Sequence, residues 1–414
     1  MPATGACSHA LQAPVRPVHE VADIVRRHGE SFRRQHVLSP DQHQVLHAIE
    51  RCRTASLGGH VELCLDCDHK RISFNSCRNR HCPKCQALEQ ARWIARRMAR
   101  LLPVNYFHVV FTLPAELRRI VQRNRRLVFN MLFKSAAQTL LELGLDPARL
   151  GGRLGVTAVL HTWSRELWFH PHLHCIVTGG GLSLDGQRWV PARKQDYLLP
   201  VHVLGALFRG KMLDALKAAH RRGKLDIVGD DKEGADPEAF TRIVSALYRK
   251  KWVVYAKRPF AGPEQILTYL GRYTHRVGLS NSRIRDVTDD AVTFATKTGK
   301  TITLTPHGFL WRLLAHVLPK RFVKIRHYGL LAPCHATTSL ETARRVLEVG
   351  GADMTGVPQQ LEDAPVVAGT EADWRMLLRL LTGIDLARCP ACGGSRINKH
   401  ALDAEARAPP QAAA

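Results

Sequence analysis

Residues 161–174 read HTWSRELWFHPHLH and hold the side chains best suited to chemistry. His172 and His174 flank one apolar residue, Leu173, and His161 lies eleven positions upstream. On a strand, side chains alternate faces, so the two imidazoles project together while Leu173 turns toward a core. A hairpin about Glu166 and Leu167 would set His161 opposite His172, because opposed residues in an antiparallel pair keep a constant sum of positions. Three neutral imidazoles with open positions left over suit a divalent ion that polarises a phosphate oxygen. His170 and Glu166 compete with His161 for the third ligand place, although His170 requires a bend at Pro171. Further along, PEQILTYLGRYTHR starts with Pro263, suited to a first helical turn, and spaces Tyr269 and Tyr273 at i and i+4 on one face. Metal-held imidazoles beside two phenols are the groups needed to attack a phosphodiester. Each feature alone has an ordinary reading: H-x-H arises by chance in a chain with 22 His, and tyrosines at helical spacing often only pack.

The surrounding pattern supplies elements to hold these groups. Strands are expected at 105–112, 155–163, 172–178, 188–191 and 252–256, the His strand being closed by a turn at Gly179, Gly180 and Gly181. Helices are expected from about 115 to 143, at 201–222, 240–249 and 309–318, and across the tyrosine pair. This mixture predicts an α+β domain with helices over one antiparallel sheet. A hairpin is expected at 292–304 around Lys297-Thr298-Gly299-Lys300. Gly299-Lys300-Thr301 resembles the end of a phosphate-binding loop, but that motif needs glycine at 294, where the chain has Phe294. With no such loop elsewhere, any DNA unwinding falls to another protein, such as a host helicase.

Ahead of this domain lie two expected helices, at 18–35 and from Ser39-Pro40-Asp41 onward, and then a cysteine block. Cys64, Cys67, Cys82 and Cys85 form two C-x-x-C knuckles fourteen residues apart, close to the spacing of a four-thiolate structural zinc. Cys52, His60, Cys77 and His81 form a candidate second zinc set. The block is basic, with Arg78, Arg80 and Lys84 as candidate DNA contacts. It has no catalytic role to play, since four thiolates leave zinc no open position. Lys324 and Arg326 are further DNA-contact candidates, because Lys320, Arg321, Lys324, Arg326 and His327 interleave with Phe322 and Tyr328 in a manner suited to single strands. A third knuckle, Cys389 and Cys392, has no evident partner pair.

In combination, Phe111-Thr112-Leu113-Pro114, His161-Thr162-Trp163, His170-Pro171-His172-Leu173-His174, Tyr269-Leu270-Gly271-Arg272-Tyr273 and Arg326-His327-Tyr328-Gly329 resemble the HUH endonuclease superfamily. Within it, the chain is similar to the two-tyrosine, zinc-binding rolling-circle transposases of the insertion-sequence ninety-one-like group. With the cysteine block, the resemblance covers roughly residues 40–332. It implies an α+β, antiparallel-sheet HUH core with helices, preceded by a small zinc-binding module. It further implies Mg²⁺ or Mn²⁺ at His161, His172 and His174, structural Zn²⁺ at the cysteines, and single-stranded DNA at element ends and target as substrate. Tyr269 and Tyr273 would be the nucleophiles that form 5′-phosphotyrosine. The expected domains are a helical segment at 1–50, a zinc module at 51–100, the catalytic domain at 101–332 and a C-terminal segment with a partly disordered tail at 333–414.

Composition agrees with a polyanionic partner. Lys and Arg total 60 against 36 Asp and Glu, a formal net charge of +24, and each neutralised phosphate releases counterions. No apolar run approaches the roughly 20 residues of a membrane span, and the first residues hold no signal-peptide core. A cytoplasmic, nucleoid-associated protein is expected, where C-x-x-C pairs point to metal rather than disulfides. Two rival functions remain: an HUH replication initiator or relaxase, and a non-catalytic zinc DNA-binding protein.

Overall fold

A computed structural model describes residues 17–85, 90, 93, 100–194, 196–227, 237–257, 278–296, 298–335, 337–350 and 385–404. The expected tyrosine helix, with Tyr269 and Tyr273, lies outside the described residues, as does the chain after 404. The described helices are α1 (Val21–Gln35), α2 (Pro40–Arg51), α3 (Arg118–Arg123), α4 (Arg125–Leu145), α5 (Val201–Arg221), α6 (Pro237–Arg249), α7 (Pro306–Leu314) and α8 (Ser339–Val349). The described strands are β1 (Gly59–Cys64), β2 (Lys70–Phe74), β3 (Tyr106–Thr112), β4 (Arg153–Trp163), β5 (Phe169–Leu182), β6 (Trp189–Pro191), β7 (Val254–Lys257), β8 (Ile284–Val287), β9 (Val292–Ala295), β10 (Thr301–Leu304), β11 (Ile325–Gly329) and β12 (Ile397–Leu402). The class is α+β with antiparallel sheets. No helix among the described residues is long and apolar enough to cross a membrane.

Two compact units emerge: Met1–Arg92 with Leu279–Gly308 and Pro365–Ala414, and Trp93–Gly278 with Phe309–Ala364. The contiguous domains expected from sequence cut the chain differently, because long-range pairing brings distant segments into the first unit. There α1 and α2 pack through Val21, Ile24, Val25, Phe32, Val45, Leu46 and Ile49. Ser39 accepts from the Gln42 amide and Pro40 opens α2, the start signal read in the sequence. The β8–β9–β10 sheet joins α1: the Val21 amide donates to Asn281 Oδ1 (3.2 Å) and Arg27 to the Val287 carbonyl (3.3 Å). Its β9–β10 hairpin closes where the Thr296 amide donates to the Lys300 carbonyl, as expected for a turn rather than a phosphate loop. In the other three-stranded sheet β1 is central, with β2 on one side and β12 on the other.

The second unit is built on a sheet of order β11–β4–β5–β3–β7, with β6 beside the end of β5. Alternation along each strand gives it two unlike faces. Phe107, Val109 and Phe111 of β3, Val156, Ala158 and Leu160 of β4, and Leu173, Cys175 and Val177 of β5 are buried in one cluster. Phe129 and Phe133 of α4, Phe208 and Met212 of α5, and Phe240 of α6 complete that cluster. Each Val, Leu, Phe or Met among them stabilises the fold by about 1.5–3 kcal/mol on burial, so this face fixes the register. The opposite face carries His108, His161, His172 and His174, with a small buried cluster of Trp93, Tyr106, Val159 and Ile176 beside them.

The glycine run corrects one expectation. Gly179, Gly180 and Gly181 do not turn the chain; they continue β5 to Leu182. A Cβ at Gly179 would come within 2.7 Å of the Asn105 carbonyl oxygen, and one at Gly181 within 2.6 Å of the Gly152 carbonyl carbon. Glycine is needed there for close backbone approach. The turn comes later, where the Ser183 amide donates to the Arg188 carbonyl and Gly186 takes φ +73°. The expected long helix after β3 is divided at Asn124, whose side chain donates to the Ile120 carbonyl.

Candidate functional site

β4 and β5 form the hairpin that the sequence implied, and His161 stands directly opposite His172. His174 lies two residues on, with Val159 opposite and Val110 on its other side. The register places the three imidazoles on one face, and one ligand nitrogen from each lies within 4.8 Å of the others. His161 and His174 ring centres are 4.1 Å apart, and His161 stacks on Trp163 at 4.7 Å. His170 is not in this group. Its carbonyl instead takes the Nδ1 proton of His172 (2.7 Å), and the Glu166 carbonyl accepts from Arg312 at the hairpin end (3.1 Å).

The hydrogen bonds fix which nitrogen faces the site. A carbonyl only accepts, so His172 is protonated at Nδ1 and keeps its Nε2 lone pair. That Nε2 lies 3.1 Å from Nε2 of His174. His174 Nδ1 lies 2.7 Å from Nε2 of His108, and the two rings stack. If His174 donates through Nδ1, its own Nε2 lone pair faces that of His172, a donor set made for a cation. Burial first, with neighbouring cationic groups adding to it, favours the neutral form of His108, His161 and His172. His108 and His172 are each pushed down to about 4, and His161 is held well below the usual histidine range. Neutral imidazole is the form that binds metal, so the three residues fit a divalent ion.

His108 is the residue that the sequence reading missed. It sits within NYFHVVFT, two positions before Val110 on the face that β3 shares with His172 and His174. The alternation signal was present, but nothing local said that β3 would pair with β5. A partner of this kind sets the tautomer and orientation of a ligating imidazole.

Ten cysteines are among the described residues, and eight of them fall into two sets of four. Cys52, Cys77, Cys82 and Cys85 make one, and Cys64, Cys67, Cys389 and Cys392 the other. The fold therefore separates the two knuckles expected to share an ion. The reason is the β1–β2 hairpin. Cys64 and Cys67 lie at its tip, whereas Cys52 and Cys77 flank its base, and six residues of strand span roughly 17 Å. His60 and His81 belong to neither set. His60 lies within β1, 3.5 Å from Glu62, and His81 bonds Asn79. In the first set, Cys85 Sγ lies 3.4 Å from Cys52 Sγ and 3.6 Å from Cys77 Sγ.

The candidate DNA contacts have varied surroundings. Arg78 is exposed and takes φ +50° just after Cys77, while Arg80 is half-buried, which lowers its pKa. Lys84 pairs with Glu20 at the start of α1. Lys324 is half-buried, and its charge helps to depress His161. Arg326 lies over the Phe133 ring (4.2 Å) and donates to Asn130 (2.6 Å), which ties β11 to α4.

Comparison with known proteins agrees with this geometry. Residues 155–339 match a family model described as "Putative transposase", and residues 24–113 match one described as "Transposase zinc-binding domain". "Putative transposase y4qJ" of Sinorhizobium fredii is 47% identical over 380 residues, covering 90% of this chain and 92% of that protein. The chain belongs to the IS91-like family of transposases. A second relative, "Transposase for insertion sequence element IS801" of Pseudomonas savastanoi pv. phaseolicola, is 27% identical over 372 residues, covering 85% of this chain and 82% of that protein. No solved structure matches. Membership makes the chain a DNA-processing enzyme with DNA as substrate. The zinc-binding match and the sulfur sets support structural Zn²⁺ in this transposase. The matched transposase region includes His161, His172 and His174, whereas His108 falls in the zinc-domain match and Cys389 in neither.

Proposed function

We propose that this transposase cuts and rejoins single-stranded DNA at element ends by tyrosine transesterification, moving the element by a rolling-circle route. The observation that carries the reading is the opposition of His161 to His172 on the face that also presents His174. A divalent ion, Mg²⁺ or Mn²⁺, held there would supply Lewis acidity at a non-bridging phosphate oxygen. Burial favours neutral His161 and His172, and the His170 carbonyl and His108 orient His172 and His174 with Nε2 turned to the site. Tyr269 or Tyr273 loses its proton as its oxygen attacks phosphorus. The bond from phosphorus to the 3′ oxygen breaks, and that oxygen takes a proton. The products are a 5′-phosphotyrosine and a free 3′-hydroxyl. Because the phosphoester bond count is unchanged, another 3′-hydroxyl can reverse the step without ATP. Two phenols allow two strands to be held in turn. The zinc module supplies recognition of the ends, and a host helicase supplies unwinding.

The test is incubation of the full chain with single-stranded oligonucleotides from the element ends, with Mg²⁺ or Mn²⁺, and a denaturing gel read for DNA attached to protein. A metal-dependent adduct lost in Tyr269→Phe/Tyr273→Phe is the expected result. DNA binding with no adduct on any end sequence would leave a binding protein in its place.

A further inference from the structure

We propose that Cys64, Cys67, Cys389 and Cys392 hold a second structural zinc, which ties the C-terminal strand into the N-terminal module. It stands apart from the tyrosine chemistry and from the first sulfur set. The zinc-binding family match ends at residue 113, so half of this site lies beyond anything that match covers.

Three independent observations meet here. The first is the sulfur geometry. Cys64 Sγ lies 3.6 Å from Cys392 Sγ, and Cys67 Sγ lies 3.7 Å from Cys389 Sγ. Thiolates about 2.3 Å from a tetrahedral zinc sit about 3.8 Å apart, whereas a disulfide brings sulfur atoms to about 2.05 Å. The spacing belongs to a metal cage and not to a pair of disulfides.

The second is that the two C-x-x-C segments are folded alike, although their sequences differ. The Asp68 amide donates to the Cys64 carbonyl (3.0 Å) and the Cys64 amide to the His69 carbonyl (3.0 Å). In the other segment, the Gly393 amide donates to the Cys389 carbonyl (2.9 Å) and the Cys389 amide to the Gly394 carbonyl (2.8 Å). The residue after the second cysteine is left-handed in both, Asp68 at φ +56° and Gly393 at φ +75°. In the second knuckle, the Ala391 amide also points at Cys389 Sγ and the Gly394 amide at Cys392 Sγ, both at 3.4 Å. Amides aimed at sulfur stabilise thiolate, the form that binds zinc. Two matching loops facing each other are the construction of a ribbon-type zinc site.

The third is that the segment carrying Cys389 and Cys392 is seated by contacts of its own. β12 pairs with β1 over six residues, from Gly59 opposite Leu402 to Cys64 opposite Ile397. Lys399 reaches buried Glu62 of β1 (2.5 Å), which also binds Arg71 of β2, so one carboxylate links all three strands. Arg396 clamps Asp66 inside the first knuckle (2.6 Å), and the Leu65 amide donates to the Arg396 carbonyl (2.8 Å). The strand presents the knuckle at the tip of the β1–β2 hairpin. The module that the family match places in residues 24–113 is therefore completed from the other end of the chain.

The experiment measures zinc per chain by elemental analysis and native mass spectrometry on the full-length protein. Not counting zinc that His161, His172 and His174 can take equally in every variant, wild type is expected to hold two, Cys389→Ser/Cys392→Ser one, and Cys52→Ser/Cys77→Ser one. Should a serine variant fail to fold, Cys389→His/Cys392→His is expected to keep two, since imidazole can replace thiolate. On wild type, alkylation read by peptide mapping is expected to leave Cys64, Cys67, Cys389 and Cys392 protected together and released together when zinc is stripped. Two zinc ions retained in Cys389→Ser/Cys392→Ser would overturn the proposal. So would ready alkylation of these four thiols in zinc-loaded wild type, or the mass of a disulfide-bonded chain. None of these outcomes bears on adduct formation by the tyrosines.

Discussion

The histidine site and the cysteine sites contrast in how far apart in sequence their members lie. His161, His172 and His174 come from one hairpin whose register is set by local alternation and a short turn. The eight sulfurs come from five separate places in the chain, and their partition depends on which strand end each knuckle reaches. Three imidazoles would leave an ion open positions on a sheet face, whereas four thiolates would close around one in each sulfur set. An open site serves chemistry and a closed one serves folding. Perturbing them is therefore expected to produce different failures.

The largest separation comes from His172→Ala. Losing an imidazole removes much of the metal's several kcal/mol of charge stabilisation, so adduct formation should fall by roughly a thousandfold. End binding and melting temperature should stay close to wild type. A matching loss of binding would erase the distinction between the sites.

His108→Ala sharpens the comparison within the catalytic site. The imidazole of His174 would lose its Nδ1 partner, and metal affinity should drop by about 10–100-fold. Titrating adduct formation with Mn²⁺ should show the loss recovered at high metal. A drop that extra metal does not restore would mean that His108 acts on something other than His174.

Gly179→Ala tests the face that supports the site. The new methyl would meet the Asn105 carbonyl, and overpacking at a rigid backbone contact costs about 1–3 kcal/mol. Urea unfolding should report this loss while zinc content stays at its wild-type value. An unchanged midpoint would show that the strand ends relax more easily than the geometry implies.

The smallest effect per step is the response to acid. His108 and His172 are pushed down to about 4 in the fold, against about 6.5 when unfolded. Between these values the unfolded chain binds more protons, so stability rises with pH. It is complete above about 6.5 and declines as pH falls toward 4, by at most about 1.4 kcal/mol per pH unit for each imidazole. Melting without added Mg²⁺ or Mn²⁺ from pH 7 to pH 4.5 should show the slope, and it should flatten in His108→Ala.

Much of the histidine face is legible in the amino-acid sequence alone. The constant sum across the hairpin puts His161 opposite His172, and alternation puts Leu173 in the core. The start of α2, the β9–β10 hairpin and most strands follow from equally local signals. Elsewhere local signals mislead. Gly179, Gly180 and Gly181 look like a turn, yet Gly179 closely approaches Asn105 and Gly181 closely approaches Gly152, residues far from them in sequence.

By itself, the sequence determined the chemistry available: paired thiolates suited to zinc, alternating imidazoles suited to a divalent ion, and a net charge of +24 suited to a polyanion. Only the tertiary structure decided which of these groups come together. It moved Cys64 and Cys67 away from Cys82 and Cys85, brought Cys389 and Cys392 to them, and set His108 against His174. The physical reason is that periodicity fixes which way a side chain points. Which strands lie side by side is settled by burial of faces summed over the whole chain, where loop length adds only a slowly growing entropic cost.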